Sequence, residues 1–319
     1  MVVTDRFDNP MFEQGTSVAL GFFDGVHRGH RAVISEAVSQ AGTKLMPVVL
    51  TFSTSPHQAG IPLLMTREDK CRTLEGLGVQ GMVTLAFSSV KDMSPAQFVE
   101  QVLDSGLHAK KVVCGFNYRF GRDAAGDISL LKSLCAARGI AVSAKEPVIE
   151  EGQPISSTRI RRALEEGYVD TAARLLGRPF SFSFPVVDGD HRGRLLGAPT
   201  INQPFPAGFI RPRFGVYAAS AMVEGQERVA VCNIGMRPTV GAEYLRAETF
   251  ILDFQGDLYG RNITVSLYKF LRPEVKFPTL DDLRRAIHND AQVTDAYMKQ
   301  MQTSAPSPQQ KEGSRKDEG

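Results

Sequence analysis

A short apolar run, Val18-Ala19-Leu20, leads directly into the segment Gly-Phe-Phe-Asp-Gly-Val-His-Arg-Gly-His at positions 21–30. The run is typical of a buried strand, and the glycines that follow predict a turn that opens a helix. Backbone N–H groups at the start of a helix favour phosphate. The segment therefore predicts a strand–turn–helix unit that binds a nucleotide phosphate without a lysine-containing P-loop.

The chain from 17 to 177 alternates between strand-like and helix-like segments. Helix starts are indicated by Thr66 with Asp69 and by Ser94 before Pro95, and helix ends by Gly42 and Gly106. This alternation predicts a Rossmann-like, doubly wound parallel sheet with helices on both faces. Its strands are predicted at 17–20, 47–52, 82–87, 111–114 and 140–143.

The pattern changes after Gly177-Arg178-Pro179, where strand-like runs follow one another without helices between them. These runs, at 214–222, 228–233, 247–254 and 263–270, predict a small antiparallel β-barrel. A terminal helix is predicted from Thr279 to near Met301. We therefore expect domains at 1–182 and 183–301, followed by a disordered tail at 302–319.

Composition excludes several functional classes. The net charge of +2 gives no electrostatic argument for nucleic acid or a membrane as a partner. The four cysteines form no C-x-x-C pair, and no signal-like or membrane-spanning segment is visible, so a cytoplasmic location is expected. The oligomeric state is left open, with a homo-oligomer as one alternative.

The two histidines of the opening segment are the first candidate site. His27 and His30 can donate hydrogen bonds to a phosphate, while Gly21 and Gly25 let the backbone approach it and Gly29 keeps bulk from between the rings. The alternatives are two surface histidines or half of a metal site. A zinc site needs further ligands, which the sequence does not show.

Three segments carry a resemblance to known families. Residues 21–30 resemble the G-x-F-D-G-x-H-x-G-H signature of HxGH nucleotidyltransferases, and 155–161 (Ile-Ser-Ser-Thr-Arg-Ile-Arg) resemble their I-S-S-T-x-I-R loop. In that loop Ser157 or Thr158 can cap the following helix, and Arg161 can hold the triphosphate or pyrophosphate. Residues 115–121 are similar to a segment of bacterial FAD synthetases. The nucleotide contacts that the resemblance implies are Gly21, Phe23, Asp24, Gly25, Gly29, Asn117, Ser156, Ser157, Thr158 and Arg161.

A second candidate site lies at 188–202, a glycine- and arginine-rich loop before Pro-Thr-Ile-Asn. The Thr200 hydroxyl and the Asn202 carbonyl are hard oxygen ligands of the kind that Mg²⁺ accepts beside nucleotide phosphates. The segment resembles the G-R-x-L-G-x-P-T-x-N motif of riboflavin kinases. That resemblance implies phosphate contacts from Gly193, Arg194, Gly197 and Pro199.

Glu248 is the candidate general base. Alternation places it on one face with Phe250, Leu252 and Phe254, where a carboxylate must be paired, ligating or chemically used. Burial would raise its pKa toward that of a base acting on a substrate hydroxyl. The alternative is that Glu248 lies at the exposed end of its strand.

Residues 253–260 and 271–274 resemble the D-F-x-x-D-L-Y-G and L-R-P-E segments of riboflavin kinases. The resemblance matches Glu248 to the catalytic glutamate of that family. It also implies flavin contacts from Arg272, Asn233 and Tyr217.

Together these motifs span 17–290 in the order found in the bacterial bifunctional riboflavin kinase/FAD synthetases, which the chain resembles. The resemblance implies ATP, riboflavin and FMN as partners, with riboflavin phosphorylated to FMN and FMN then adenylylated to FAD. Phe22 and the loop 51–57 depart from the family pattern. The alternatives are an HxGH adenylyl- or cytidylyltransferase of a non-flavin substrate with an accessory barrel, or a flavin-sensing or RNA-binding barrel fused to an inactive transferase.

Overall fold

The computed structural model describes residues 1–54, 60–188, 200–239 and 242–304. The chain forms two compact units. The first contains Met1–Leu164, Thr171–Arg178 and Ala207–Ile210, and the second contains Glu165–Asp170, Pro179–Pro206 and the chain from Arg211 onward. The domain boundary near 182 stays a prediction, because the units interleave along the chain.

The first unit is built on a parallel sheet, as the alternation predicts. Its strand order is β1-β4-β3-β2-β5-β6, and every neighbouring pair is parallel. The strands are β1 (Val2–Thr4), β2 (Thr16–Leu20), β3 (Met46–Phe52), β4 (Gly81–Leu85), β5 (Ala109–Gly115) and β6 (Ala141–Lys145). A short hairpin of β7 (Ile149–Glu150) and β8 (Gln153–Pro154) follows.

Helices cover both faces of this sheet because side chains of successive strand residues point to opposite faces. In β2, Val18 and Leu20 belong to one core and Ala19 to the other. The helices are α1 (Arg28–Ala41), α2 (Arg67–Glu75), α3 (Pro95–Gln97, continued by a π-helix at Phe98–Gly106), α4 (Ile128–Ala136), α5 (Ser157–Glu166) and α6 (Val169–Leu176). The doubly wound arrangement is confirmed.

The helix ends follow local sequence signals. The Thr66 hydroxyl accepts the Asp69 N–H at 3.0 Å, and Ser94 forms a reciprocal capping box with Gln97. Gly42 ends α1 with a φ of 57°. The strand β1 was not predicted, since its three residues form an edge strand that pairs with β4 far along the chain.

The second unit is an antiparallel sheet of six strands in the order β10-β13-β12-β11-β14-β9. The strands are β9 (Phe180–Pro185), β10 (Thr200–Pro204), β11 (Gly215–Val223), β12 (Gln226–Thr239), β13 (Ala242–Ile251) and β14 (Asn262–Arg272). Beyond β9, the Val187 N–H donates to the Asn202 carbonyl of β10 at 2.8 Å. This bond joins the two edges of the sheet, so the predicted antiparallel barrel is confirmed.

The terminal helix α7 (Leu280–Ser304) begins after Thr279, whose hydroxyl accepts the Asp282 N–H at 3.1 Å. It extends three residues past the predicted end at Met301. The rest of the predicted tail, 305–319, lies outside the described residues. Within the described parts of the chain, no helix is long and apolar enough to cross a membrane.

Gly215, the first residue of β11, supports a stability prediction. Its φ is +147°, and a Cβ there would lie 2.7 Å from the Phe270 ring and also against the Arg272 carbonyl. We expect Gly215→Ala to lower the free energy of unfolding of the barrel by about 3 kcal/mol, because backbone strain and a steric clash add. Urea unfolding followed by circular dichroism would measure it.

Gly225 provides the matched control, since its φ is +78° and nothing lies within 4 Å of an added Cβ. Gly225→Ala should cost about 1 kcal/mol from backbone strain alone. Equal costs for the two variants would contradict the steric part of this account.

Candidate functional site

The first candidate site lies at the topological switch point of the parallel sheet, where successive strands are added on opposite sides of β2. From β2 the chain proceeds outward through β3 and β4, and it then returns to β5 on the other side of β2. Ligands of open parallel sheets bind beyond the carboxyl ends of the strands at such a switch point. The loop 21–27 follows β2 at this point, and the segment that contains Asn117 follows β5 beside it.

The loop backbone adopts conformations that L-residues rarely take. Phe23 and Val26 have φ values of 52° and 41°, and Gly25 has a φ of 80°. A Cβ on Gly21 would lie 2.8 Å from the Phe23 ring, so Gly21 makes room for a side chain of its own loop. Phe23 packs edge-on against the His30 ring, with ring centroids 5.3 Å apart.

The two histidine rings lie stacked at the start of α1. Their centroids are 3.5 Å apart and the planes differ by 18°. His27 is the N-cap residue, and its Nδ1 accepts the backbone N–H of His30 at 3.2 Å. A Cβ on Gly29 would approach the His27 ring to 3.2 Å, which explains why glycine stands between the histidines.

Both imidazoles are neutral near pH 7. Burial lowers the pKa of His27 to about 4, and it lowers the pKa of His30 well below its usual value, with the His27 and Lys70 charges adding to the effect. Since Nδ1 of neutral His27 accepts a hydrogen bond, its proton must lie on Nε2. His27 therefore presents an N–H donor from Nε2, as a site for anionic phosphate requires.

Asp24 connects this loop to the segment 155–161. Its buried carboxylate accepts the Leu64 N–H at 3.0 Å and forms an ion pair with Arg161. The Ser157 hydroxyl donates to the Asp24 carbonyl at 2.9 Å. Burial raises the pKa of Asp24, and the charges of Arg161 and Lys70 oppose that rise.

The prediction that Ser157 or Thr158 caps α5 is wrong. The helix begins at Ser157, so the capping residue is Ser156, whose Oγ accepts the Arg159 N–H at 3.3 Å. Ser157 instead reaches the Asp24 loop, and Thr158 is exposed. Arg161 also donates from Nε to the Pro62 carbonyl at 2.7 Å. Its contact with phosphate stays a prediction, as does that of the exposed Asn117.

The second candidate site is a row of side chains across the barrel sheet. Glu248 in β13 is paired with Asn202 in β10 on one side and with Asn233 in β12 on the other. The row continues through Val216 in β11 to Arg272 in β14. Side chains of directly paired residues share a face of the sheet, so residues from five strands are gathered on one face.

Glu248 is not isolated on an apolar face. On the opposite face of β13, Ala247, Thr249 and Ile251 are buried, and Leu252 lies beyond the end of the strand. The Glu248 side chain is 19% exposed and forms an ion pair with Arg246, which is almost fully buried two residues away on the same face. Phe250 shares this face as predicted, but Leu252 and Phe254 do not, because β13 ends at Ile251. The surroundings of Glu248 therefore include a buried arginine and are not purely apolar. The alternative of an exposed strand end is wrong.

The three predicted flavin contacts have different environments. Asn233 donates from Nδ2 to Glu274 at 3.0 Å, and Arg272 forms an ion pair with Asp290 of α7 at 2.7 Å. Tyr217 is fully buried, and its hydroxyl donates to the Arg213 carbonyl. Its side chain belongs to the barrel core, and its contact with flavin stays a prediction. Gly193, Arg194, Gly197 and Pro199 lie outside the described residues.

Comparison with known proteins adds to this geometry. The FAD synthetase family model matches residues 9–159, and the riboflavin kinase family model matches residues 176–298. Bifunctional riboflavin kinase/FMN adenylyltransferases from Listeria monocytogenes and Bacillus subtilis are each 36% identical to the chain, covering 89% of it and 93% of their own length. The chain belongs to this bifunctional family. The relative from Escherichia coli, also 36% identical, covers 87% of the chain.

A solved structure from Streptococcus pneumoniae, named a macrolide-efflux protein, has the same fold. Its TM-score is 0.81 at 30% identity, and the match covers 92% of this chain and 98% of that one. That name describes a different function from the names of the curated relatives. Each of the family's two matched regions contains one candidate site, with the stacked histidines in the first and the Glu248 row in the second.

The buried neutral His27 predicts a pH dependence of stability. Its folded pKa of about 4 lies below the unfolded value of 6.5, so protons bind the unfolded chain first as the pH falls. Its contribution is present above pH 6.5 and is lost toward pH 4, to a total of about 3 kcal/mol. The variant His27→Asn keeps a capping acceptor but has no imidazole to protonate. As the pH is lowered from 6.5 to 4, its free energy of urea unfolding should fall less than that of the wild type. Parallel pH curves for the two proteins would contradict the buried neutral state.

Proposed function

We propose that the chain makes FAD from riboflavin in two steps. The barrel transfers the γ-phosphoryl group of ATP to riboflavin and releases FMN and ADP. The first unit then transfers the AMP part of a second ATP to FMN and releases pyrophosphate. One observation carries the proposal: each unit contains its own polar site, and each site falls within the matching family region.

In the kinase step, the Glu248 carboxylate accepts the proton of the ribityl 5′-hydroxyl as that oxygen attacks the γ-phosphorus. The bond from the γ-phosphorus to the leaving oxygen breaks, and ADP departs. Arg246 pairs with Glu248 and so fixes the orientation of the carboxylate. Phosphoryl transfer depends mainly on positioning and electrostatics, and a row anchored in the hydrogen-bonded ladder supplies the positioning.

Thr200 and Asn202 fit a Mg²⁺ ion that arrives with ATP. They are two residues apart in β10, so they share a face with Glu248, and both offer neutral oxygen ligands. Among the described residues no three His, Cys, Asp or Glu side chains group as metal ligands. Mg²⁺ keeps several waters and takes further ligands from phosphates, so it needs few ligands from the protein. When bound, the ion would neutralise phosphate charge.

In the adenylylation step, a phosphate oxygen of FMN attacks the α-phosphorus of ATP, and the bond to the pyrophosphate oxygen breaks. The chain needs no nucleophile of its own, because FMN supplies it. The Nε2–H of His27 and the ring of His30 donate to phosphate oxygens as their charge grows. Neutral imidazoles suit this role. They can donate hydrogen bonds to the transition state, and they carry no positive charge whose burial would cost free energy.

The two reactions should be separable by single substitutions. Glu248→Gln keeps the shape of the side chain but removes the base, so riboflavin kinase activity should fall about a thousandfold while FMN adenylylation remains. His30→Gln should lower adenylylation about a hundredfold or more and leave the kinase intact. Incubation with ATP, Mg²⁺ and either riboflavin or FMN, followed by chromatography of the flavins, measures both.

Glu224→Gln is the matched control for the barrel, because Glu224 is exposed and pairs with Arg261 away from the row. It should leave both activities unchanged. Loss of both activities in a folded Glu248→Gln or His30→Gln protein would contradict the assignment of two separate sites. Absence of any flavin product from the wild type would contradict the proposed function itself.

A further inference from the structure

Lys70 is a buried lysine that neither proposed reaction uses. It lies in α2 and is 8% exposed. Its Nζ donates to the Phe22 carbonyl at 2.9 Å and lies 4.9 Å from the centre of the Phe22 ring. The Thr51 hydroxyl donates to the same carbonyl at 2.7 Å. One backbone oxygen of the loop 21–27 thus accepts a hydrogen bond from a charged donor and another from a neutral donor.

These two bonds orient the peptide that joins Phe22 to Phe23. This peptide is trans, so its carbonyl oxygen and its N–H point in opposite directions. With the oxygen held toward Lys70, the Phe23 N–H points away from that buried ammonium. Among the described residues this N–H donates to no backbone acceptor. A cation at the oxygen end also polarises the peptide and makes its N–H a stronger donor.

The charges around Lys70 favour an anion at the loop. Asp24 lies near Lys70 and is paired with Arg161, so one buried carboxylate is balanced by two cations. Among the described residues, His30 and Cys71 are the other titratable groups that interact electrostatically with Lys70. Burial lowers the pKa of His30 and raises that of Cys71, so both are uncharged at neutral pH. The cluster therefore carries a surplus positive charge.

We propose that Lys70 is a positioning residue of the adenylyl-transfer site, where its ammonium group aims and strengthens the Phe23 N–H as a donor to ATP phosphate. The inference rests on the proposed function of the first unit. It also explains how a phenylalanine can stand at position 22. Phe22 contributes its backbone carbonyl to the site, and its ring packs against the Lys70 ammonium group.

The first test replaces Lys70 in the full-length protein. Lys70→Met keeps the length of the side chain and removes the charge, so the KM for ATP in FMN adenylylation should rise about ten- to hundredfold, the usual range for a lost charge-assisted hydrogen bond. Riboflavin kinase activity of the same chain should stay at the wild-type level. That activity, with thermal unfolding, shows that the variant is folded.

The second test is the pH profile of the same KM. Burial lowers the pKa of Lys70 to about 8, so in the wild type the KM for ATP should rise as the pH passes that value. Lys70→Arg stays charged and should remove the alkaline rise, whereas Lys70→Met should show a high KM at every pH. Thr51→Val, which removes the neutral donor to the same carbonyl, should raise the KM modestly and keep the alkaline rise.

The outcomes are distinct. Wild-type adenylylation with an unchanged KM in Lys70→Met overturns the role of Lys70 and leaves the proposed function standing. An alkaline rise that persists in Lys70→Arg overturns the dependence on the lysine charge. If the wild type itself makes no FAD from FMN and ATP, the proposed function fails first.

Discussion

The buried carboxylate of Asp24 holds together parts of the first unit that are far apart in the chain. It binds the Leu64 backbone and the Arg161 guanidinium, which lies 137 residues away, while the Asp24 carbonyl receives the Ser157 hydroxyl. A buried ion pair is costly to desolvate, and loss of one partner leaves an uncompensated charge that costs about 3–5 kcal/mol. The loop 21–27 and the start of α5 therefore keep one relative position.

The barrel site depends on a different constraint. Its side chains come from separate strands and are brought into line by the backbone register, with Asn202, Glu248 and Asn233 paired in sequence across the sheet. A shift of one residue would send each of them to the opposite face. The closing bond from Val187 to Asn202 fixes the outer strand of the row. The ladder, more than any side-chain contact, sets the geometry of this site.

Local signals predicted most of the secondary structure. Caps such as Thr66 and Ser94 act within one turn, and period-2 alternation reports which strand residues are buried. Predictions failed where a distant partner decided the outcome. The strand β1, which was not predicted, exists because β4 pairs with it. Leu252 and Phe254 do not join the face of Glu248 because β13 ends at Ile251, which alternation alone does not reveal.

The amino-acid sequence was enough to indicate the alternation of strands and helices in the first unit, the succession of strands in the second, the family, and candidate residues for the chemistry. These features depend on composition and short-range spacing. The partners of several of these residues, and the charge states of the two histidines, follow only from the folded chain. It stacks the two histidines in a neutral state, with His27 protonated on Nε2, and it places Arg161 on Asp24. It also brings Lys70 from α2 to the Phe22 carbonyl. Burial and long-range pairing set these charge states, and neither can be calculated before the chain has folded around the groups.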